Sequence, residues 1–357
     1  MIDGLDDDDF LSAFETFRTS CAHIVQSQPE LRPALQASES LKCIATTALT
    51  VTVSSNSEAK AFFKAHFQPH RIRLESEAVR GFVTGYYEPV IEASEAQSIN
   101  FPSPILGRPS DLVTFAGARE DWPLGPDVSA GRKRSNGAWQ AYPARAEIEA
   151  GTVHIPAQPI AFVRDAIEAY MVQVQGSARL RMRDGQTWRL TYAGRNGRPY
   201  SSIGKYLIEE GAISPEGMSL ASLKSWLRAN GLQIGERARN ALWRNESFVF
   251  FDVTTDATHD CGPIGGQGVP LTPLRSIAVD RAIWPYGLPF WLSAEKGLQS
   301  HSDKKFERLM IAQDTGSAII GPARADIFFG TGDEAGFLAG NVRHACDFIV
   351  FLPREGF

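Results

Sequence analysis

Apolar residues near the start of the chain recur at steps of three and four, which is the spacing of one helix face. Phe10, Phe14 and Phe17 follow this spacing and predict a helix over residues 9–28. A second helix is predicted over residues 57–67, with its phenylalanines on the buried side. The chain therefore begins with amphipathic helices whose aromatic faces belong to a core.

From residue 79 the pattern changes to the alternation of a strand, which runs through residues 82–87 into Glu88-Pro89. After a segment rich in Pro, Gly and Arg, the pattern predicts a helix over residues 160–170. Three strands are predicted next, at residues 171–175, 178–182 and 187–192. Asp184-Gly185 separates the last two and is a strong hairpin signal. The middle of the chain is therefore expected to form a compact β unit.

The last third of the chain carries short apolar segments separated by Gly and Pro. The predicted strands lie at residues 248–251, 276–279, 289–292, 308–312, 326–329 and 348–352. Short strands at this spacing are typical of a small barrel. Because 357 residues exceed the usual size of one domain, two domains are expected. The residues themselves thus predict a mainly β fold with several helices: a small barrel and an inserted β unit.

Charge and composition exclude several classes of protein. The net charge is −5 and no extended basic stripe is present, which argues against nucleic acid as a partner. No apolar run reaches the roughly 18 residues that a membrane-spanning helix needs. The first residues show neither a signal peptide nor a lipid-anchoring cysteine. The acidic run Asp6-Asp7-Asp8-Asp9 is interpreted as a hydrated tail that leads into the first helix.

The cysteines do not form a metal pattern. Cys21, Cys43, Cys261 and Cys346 lack the close pairing of a zinc site, and no histidine lies near them at ligand spacing. They could be free thiols or form up to two disulfides. Since no other motif indicates a metal or an organic cofactor, neither is expected.

The candidate chemistry lies in the glycine-punctuated stretch 312–332, which contains Asp314 and Asp326. Asp326 precedes an Ile-Phe-Phe run, and apolar neighbours disfavour an ionised carboxylate and so raise its pKa. An acid of this kind can protonate a leaving group near neutral pH. A third aspartate, Asp280, stands in the segment 275–287.

These aspartates and three upstream blocks closely resemble the membrane-bound lytic murein transglycosylase A family. The upstream blocks are Gly85-Tyr86-Tyr87-Glu88-Pro89, Gln173-Val174-Gln175-Gly176-Ser177 and Ser201-Ser202-Ile203-Gly204-Lys205. The most specific part is the C-terminal segment, named for three aspartates that correspond to Asp280, Asp314 and Asp326. The likeness runs from about residue 81 to the end, with Ser317 standing where the family often has a second glycine.

The resemblance sharpens the predicted fold and setting. It implies a double-psi β-barrel domain formed by residues 1–100 and 244–357, and a smaller inserted β-rich domain of residues 101–243. A groove between the two domains is expected to hold the substrate. The implied partners are glycan strands of peptidoglycan, and protein partners from the cell envelope are compatible with the resemblance. The implied state is a monomer. The implied location is the cell envelope or periplasm of a Gram-negative bacterium.

The resemblance also implies a reaction, in which the β-1,4 bond between N-acetylmuramic acid and N-acetylglucosamine is cleaved and a 1,6-anhydro ring forms. Asp326 is expected to protonate the glycosidic oxygen and then, as a carboxylate, to accept the proton of the attacking C6 hydroxyl. Asp314 and Asp280 are expected to support it. The expected substrate-binding residues are Tyr86, Tyr87, Glu88, Gln173, Gln175, Ser202 and Lys205. The tyrosines are candidates for stacking on sugars, and the polar side chains for hydrogen bonding to them.

Two other functions share features with this sequence. Asp314-Thr315-Gly316-Ser317 is also the tetrapeptide of pepsin-like proteases, but those enzymes need a second copy, and none occurs in this sequence. The other alternative is a protein that binds peptidoglycan without cleaving it. Because all three family aspartates are present, the catalytic function is favoured.

Overall fold

The computed structural model describes residues 4–74, 80–115, 117, 119–255, 262–295, 298 and 305–354. The chain divides into two compact units. The first unit comprises Met1–Glu88 and His259–Phe357, and the second unit is Pro89–Thr258. The sequence-based boundaries differ from this division, since residues 89–100 and 244–258 lie in the second unit. The reason is strand pairing, because both segments contribute strands to the sheet of that unit.

The described helices and strands are labelled in chain order. The α-helices are α1 (Phe10–Val25), α2 (Glu39–Thr50), α3 (Asn56–His66), α4 (Arg145–Glu149), α5 (Ala166–Gln175), α6 (Ile203–Glu209), α7 (Leu220–Ala229), α8 (Arg237–Trp243) and α9 (Asp333–Ala339). The strands in the first half are β1 (Phe67–Arg71), β2 (Gly81–Glu88), β3 (Val90–Ser94), β4 (Ser103–Leu106), β5 (Val113–Thr114), β6 (Ala130–Lys133), β7 (Trp139–Ala141) and β8 (Pro159–Val163). The remaining strands are β9 (Ala178–Met182), β10 (Thr187–Arg195), β11 (Val249–Thr254), β12 (Ser276–Ala278), β13 (Pro289–Ala294), β14 (Phe306–Asp314), β15 (Arg324–Thr331) and β16 (Arg343–Pro353).

The first unit contains a closed barrel. Its strand order is β1-β16-β13-β14-β12-β15-β2. Strand β2, at one end of this order, also pairs with β16, and this pairing closes the barrel. The pairs β12–β14 and β15–β2 are parallel, and the other pairs in this sheet are antiparallel. The predicted fold class, mainly β with helices and a barrel, is confirmed.

Helices α1 and α3 pack through an aromatic core, as the spacing of the phenylalanines predicted. The rings of Phe14 and Phe62 meet edge to face with centroids 4.9 Å apart. Helix α3 begins with a capping box formed by Ser55 and Glu58, which satisfies backbone N–H groups of its first turn. The sequence pattern did not predict α2, which begins after the N-cap residue Ser38.

The interpretation of the acidic run before α1 as a hydrated tail was wrong for one of its members, Asp8. Asp8 is buried and forms a two-pronged ion pair with Arg275, in which both N–O distances are 2.9 Å. The backbone N–H of Leu309 also donates to its carboxylate at 2.8 Å. Asp8 therefore fastens the start of the chain to the barrel, while Asp7 beside it is exposed.

The second unit is built on a six-stranded sheet with the order β11-β10-β9-β3-β8-β4 and a three-stranded sheet of β5, β6 and β7. The predicted hairpin is confirmed, since β9 and β10 pair antiparallel around Gly185, whose φ is +88°. Strand β11, which the sequence pattern assigned to the barrel, pairs with β10 in this unit.

Two predictions around α5 were wrong. Residues 171–175 are its second half and not a strand, and residues 160–163 belong to strand β8 and not to a helix. One part of the helix packs in the core around the sheet and another in a second hydrophobic cluster, so apolar residues surround it and its periodicity is weak. Asp165 caps its start, and Gly176 ends it in the left-handed conformation at φ +80°.

No helix in the described ranges is long and apolar enough to cross a membrane. Three of the four cysteines, Cys21, Cys43 and Cys346, are free thiols. Cys261 lies outside the described residues.

Candidate active site

Asp326 lies on β15, between β12 and β2. In the strand register its Cα partners are Ala278 on one side and Thr84 on the other. The Thr84 hydroxyl donates a hydrogen bond to Asp326 Oδ1 at 2.7 Å. The closure of the barrel therefore gives the candidate acid a partner from a part of the chain far away in sequence.

Arg324 determines how the Thr84 hydroxyl is oriented. Its Nη2 donates to Thr84 Oγ1 at 2.7 Å, and its Nη1 donates to the backbone carbonyl of Ala325. Since a hydroxyl has one proton to donate, acceptance from Arg324 on one side leaves that proton directed at Asp326. The three side chains form a chain of hydrogen bonds that holds the carboxyl group in one orientation.

Burial raises the pKa of Asp326 to about 6. The positive charge of Arg324 and the hydrogen bond from Thr84 lower this pKa, and the negative charge of Asp314 raises it. Desolvation is the largest of these effects, in the direction that the apolar neighbours indicated. The carboxyl group can therefore exchange a proton within the physiological pH range.

The raised pKa has a measurable effect on stability. When the pKa of an Asp in the folded protein lies above its ordinary value of 3.8, ionisation of that group destabilises the folded state. This loss of stability is absent at about pH 3 and complete at about pH 8. Between these values we expect the free energy of unfolding of Asp326→Asn to gain about 3 kcal/mol over that of the parent. Urea unfolding at both pH values measures the difference. A difference that does not change with pH would contradict the raised pKa.

Asp314 ends β14 and pairs with Ala278 from the opposite side to Asp326. Its Oδ1 accepts from the backbone N–H groups of Gly266 at 2.7 Å and Thr315 at 2.8 Å, and its Oδ2 accepts from Tyr86 Oη at 2.9 Å. The carboxyl group thus accepts three hydrogen bonds, two from backbone N–H groups and one from a hydroxyl. Asp314 thus connects its own strand, the loop of Gly266 and strand β2.

A basic residue beside Asp314 comes from the segment after α1. Arg32 Nη1 lies 4.0 Å from Asp314 Oδ1, and the guanidinium also donates to the backbone carbonyl of Thr315. The Tyr286 hydroxyl donates to the carbonyl of Arg32 at 2.9 Å. A Cβ on Gly266 would lie 2.4 Å from that hydroxyl oxygen, so the close approach of the loop to Asp314 requires glycine.

Asp280 holds two loops by their backbones. Its Oδ1 accepts from Ala282 N–H at 3.0 Å, and its Oδ2 accepts from Gly321 N–H at 2.8 Å. Trp284 Nε1 donates to the Pro322 carbonyl at 3.0 Å and fastens the same loop a second time. That loop joins β14 to β15, so Asp280 stabilises the connection between Asp314 and Asp326.

The expected stacking and groove residues on β2 are largely enclosed within the first unit. Tyr86 is buried, and its ring centroid lies 5.4 Å from that of Phe328. Tyr87 is buried against Gly336 of α9. Glu88 is fully buried, and its Oε2 accepts from Thr331 Oγ1 at 2.7 Å. Their contact with sugar stays a prediction.

The other four expected substrate residues lie in the second unit. Gln173 is buried and accepts from Arg145 Nη2 at 2.8 Å, and Gln175 is half-buried at the end of α5. Ser202 caps α6 by accepting from the N–H of Lys205 at 3.2 Å. The Lys205 ammonium is exposed and lies 3.6 Å from Glu209 Oε1. Their roles also stay predictions.

The structure thus brings together Asp326, Asp314 and Tyr86, and adds Thr84 and Arg324, which the sequence analysis missed. The position of Arg324 beside Asp326 could have been predicted, because residues two apart on a strand share a face. The position of Thr84 beside Asp326 could not have been predicted in this way, since it depends on the closure of the barrel. Among the described residues, no group of three or more His, Cys, Asp or Glu side chains is arranged to hold a metal ion.

Comparison with known proteins gives consistent results. Residues 82–252 match the model of the MltA specific insert domain, and residues 275–352 match that of the 3D domain. Membrane-bound lytic murein transglycosylase A of Vibrio cholerae serotype O1 is 33% identical over 267 residues. This alignment covers 73% of the chain but 62% of the relative, which is less than two thirds of its length.

Solved structures are similar over nearly the whole chain. A membrane-bound lytic murein transglycosylase from Agrobacterium tumefaciens superposes with a TM-score of 0.86 at 35% identity, covering 99% of this chain and 95% of the other. MltA from Escherichia coli with bound chitohexaose gives a TM-score of 0.65 at 26% identity, covering 97% and 89% of the two chains.

Proposed function

Because the chain belongs to the membrane-bound lytic murein transglycosylase A family, we propose that it cleaves peptidoglycan strands between N-acetylmuramic acid and N-acetylglucosamine. The observation that carries this proposal is Asp326, a carboxyl group with a pKa of about 6 that Thr84 orients. The proposed product ends in 1,6-anhydromuramic acid.

In the proposed reaction Asp326 acts twice. In its protonated form it donates the proton to the glycosidic oxygen, and the bond from that oxygen to the muramyl C1 breaks. The resulting carboxylate then accepts the proton of the muramyl C6 hydroxyl as that oxygen attacks C1, which regenerates the acid. A pKa near the working pH suits both steps, because neither form of the group is then strongly disfavoured. An inverting hydrolase requires a second carboxylate to activate water. In the proposed reaction the substrate's own hydroxyl replaces water, so no second carboxylate is needed.

We assign supporting roles to the other two aspartates. Asp314 adds a negative charge that raises the pKa of Asp326, and it holds Tyr86 and the loop of Gly266. Asp280 holds the loop between the two strands that carry Asp314 and Asp326. Neither role requires contact with the sugar.

The substrate class rests on the relatives. The Escherichia coli structure contains chitohexaose, an oligosaccharide with the β-1,4 linkage, and the named relatives are murein transglycosylases. We assign glycan strands of peptidoglycan as the partner of this chain, with Tyr86, Tyr87, Glu88, Gln173, Gln175, Ser202 and Lys205 as residues that bind or support binding. Because the relatives are named membrane-bound, we place the protein in the cell envelope.

Product analysis tests this proposal. Purified protein incubated with murein sacculi is expected to release muropeptides that end in the anhydro sugar, which lack one water relative to hydrolysis products in mass spectrometry. Products with ordinary reducing ends would indicate a hydrolase and contradict the proposal. Binding to sacculi without release of any fragment would instead favour a binding protein.

A further inference from the structure

The charge of Arg324 is balanced only in part by its protein neighbours. It is half-buried beside Asp326, and burial lowers the pKa of its guanidinium. Among the described residues, no carboxylate lies within ion-pair distance of it. Two other arginines of the first unit have carboxylate partners, since Arg275 pairs with Asp8, and Arg80 with Glu295 and Asp347. Desolvation makes the Arg324 cation costly, the charge of Asp326 offsets part of that cost, and a bound anion offsets more of it.

The guanidinium also has donors to spare. Arginine has five N–H groups, and within the described part of the chain Arg324 donates to the Ala325 carbonyl and to Thr84 Oγ1. The remaining N–H groups suit a carboxylate, which a guanidinium can bind through two parallel hydrogen bonds.

Phe82 supplies an apolar surface at the same place. The Arg324 guanidinium carbon lies 5.5 Å from the centroid of the Phe82 ring, and this side chain is 42% exposed. Phe82 and Thr84 are two apart on β2, as Arg324 and Asp326 are on β15, and these two strands pair with Arg324 opposite Phe82. The Arg324–Phe82 pair therefore adjoins the candidate acid and combines a cation with an exposed aromatic face, to which a sugar ring can pack.

We infer that the Arg324–Phe82 pair binds a carboxylate of the glycan substrate beside the bond that Asp326 cleaves. This inference rests on the proposed function and names the anionic group that the site recognises. The carboxylate has two possible sources: the lactyl group of a muramyl residue that carries no peptide, or a peptide stem. Chitohexaose carries neither and lacks the group.

Binding measurements in an Asp326→Asn background test the inference, because that variant is expected to leave the glycan intact. Calorimetry compares four ligands: peptide-free murein strands, the same strands with their carboxylates converted to neutral methylamides, peptide-bearing strands, and chitohexaose. Each is measured with and without Arg324→Gln. The matched control is Arg308→Gln, since Arg308 also stacks over a phenylalanine, Phe306, with the guanidinium carbon 5.8 Å from the ring centroid, but stands six positions before Asp314 on β14.

We expect Arg324→Gln to weaken binding of carboxylate-bearing strands about tenfold, the range for a charged hydrogen-bonded pair. Binding of chitohexaose and of the methylamide strands should change less than about twofold, as should all binding by Arg308→Gln. Arg324→Lys keeps the charge and is expected to retain part of the preference. Loss with peptide-free strands identifies the lactyl carboxylate as the source, and loss with peptide-bearing strands alone identifies the stem.

Equal weakening for charged and neutral ligands would overturn the inference, because Arg324 would then act only through Thr84 and Asp326. Equal affinity of the Asp326→Asn protein, with Arg324 intact, for the methylamide strands and for both kinds of carboxylate-bearing strand would overturn it without any change at Arg324. Either result, with anhydro products still released by the parent, leaves the proposed function standing. Charge-dependent binding without anhydro products would contradict the proposed function alone.

Discussion

Replacing Asp326 with Asn is expected to slow the release of anhydro products from murein by about 10³-fold, within the range of general acid–base catalysis. The amide has the same shape and can still accept the hydrogen bond from Thr84, but it can neither supply nor take up the proton. Initial rates measured by mass spectrometry at about pH 6 give the effect. Because the variant is expected to be at least as stable as the parent, loss of activity cannot be attributed to unfolding.

The matched control is Asp333→Asn, since Asp333 is exposed in the first turn of α9 and neither hydrogen-bonds to Asp326 nor shifts its pKa. Its rate should stay within about twofold of the parent, as for a surface substitution away from the site. If Asp326→Asn retained the parental rate, Asp326 would not be the proton donor. Another carboxyl group would then have to be sought.

The largest loss of stability is expected from Asp8→Ala. Removing one partner of a buried ion pair leaves the other charge without compensation, here the guanidinium of Arg275, and typically costs about 3–5 kcal/mol. The backbone N–H of Leu309 also loses its acceptor. The midpoint of urea unfolding, followed by circular dichroism, should fall accordingly.

Asp7→Ala is the control for this experiment, because it removes the same charge from the neighbouring exposed position. Its unfolding midpoint should remain close to that of the parent. Similar midpoints for Asp7→Ala and Asp8→Ala would show that the acidic run acts through its total charge and that the pair with Arg275 contributes little.

The elements that the sequence predicted well have one buried face. The phenylalanines of α1 repeat with the helical period because the opposite face is in water, and the hairpin of β9 and β10 is marked by Asp184-Gly185. Helix α5 was misread in its second half because apolar residues surround it, which removes the period from the pattern. The same limit applies to Asp8, whose burial depends on a cation far away in sequence.

The candidate site, too, could be predicted from the sequence only in part. The raised pKa of Asp326 could be predicted because its apolar neighbours follow it directly in the chain. The hydrogen bond from Thr84 could not be predicted, since it depends on the pairing of β2 with β15. Arg324 lay close to Asp326 in the sequence, but its significance depends on the absence of a carboxylate within ion-pair distance among the described residues, and only the folded arrangement reveals that.

The closure of the barrel by β2 and β16 has a consequence for the order in which the protein folds. Gly81 pairs with Cys346, and Thr84 lies beside Asp326, while the whole second unit stands between these segments in the chain. Contacts between residues so far apart form slowly, because a long loop must close before they contribute any stability. The second unit is continuous in sequence and can fold without these distant pairings, whereas the acid acquires its hydroxyl partner only after β15 pairs with β2. Assembly of the acid with its hydroxyl partner is therefore expected late in folding, and a chain interrupted before β15 lacks the acid altogether.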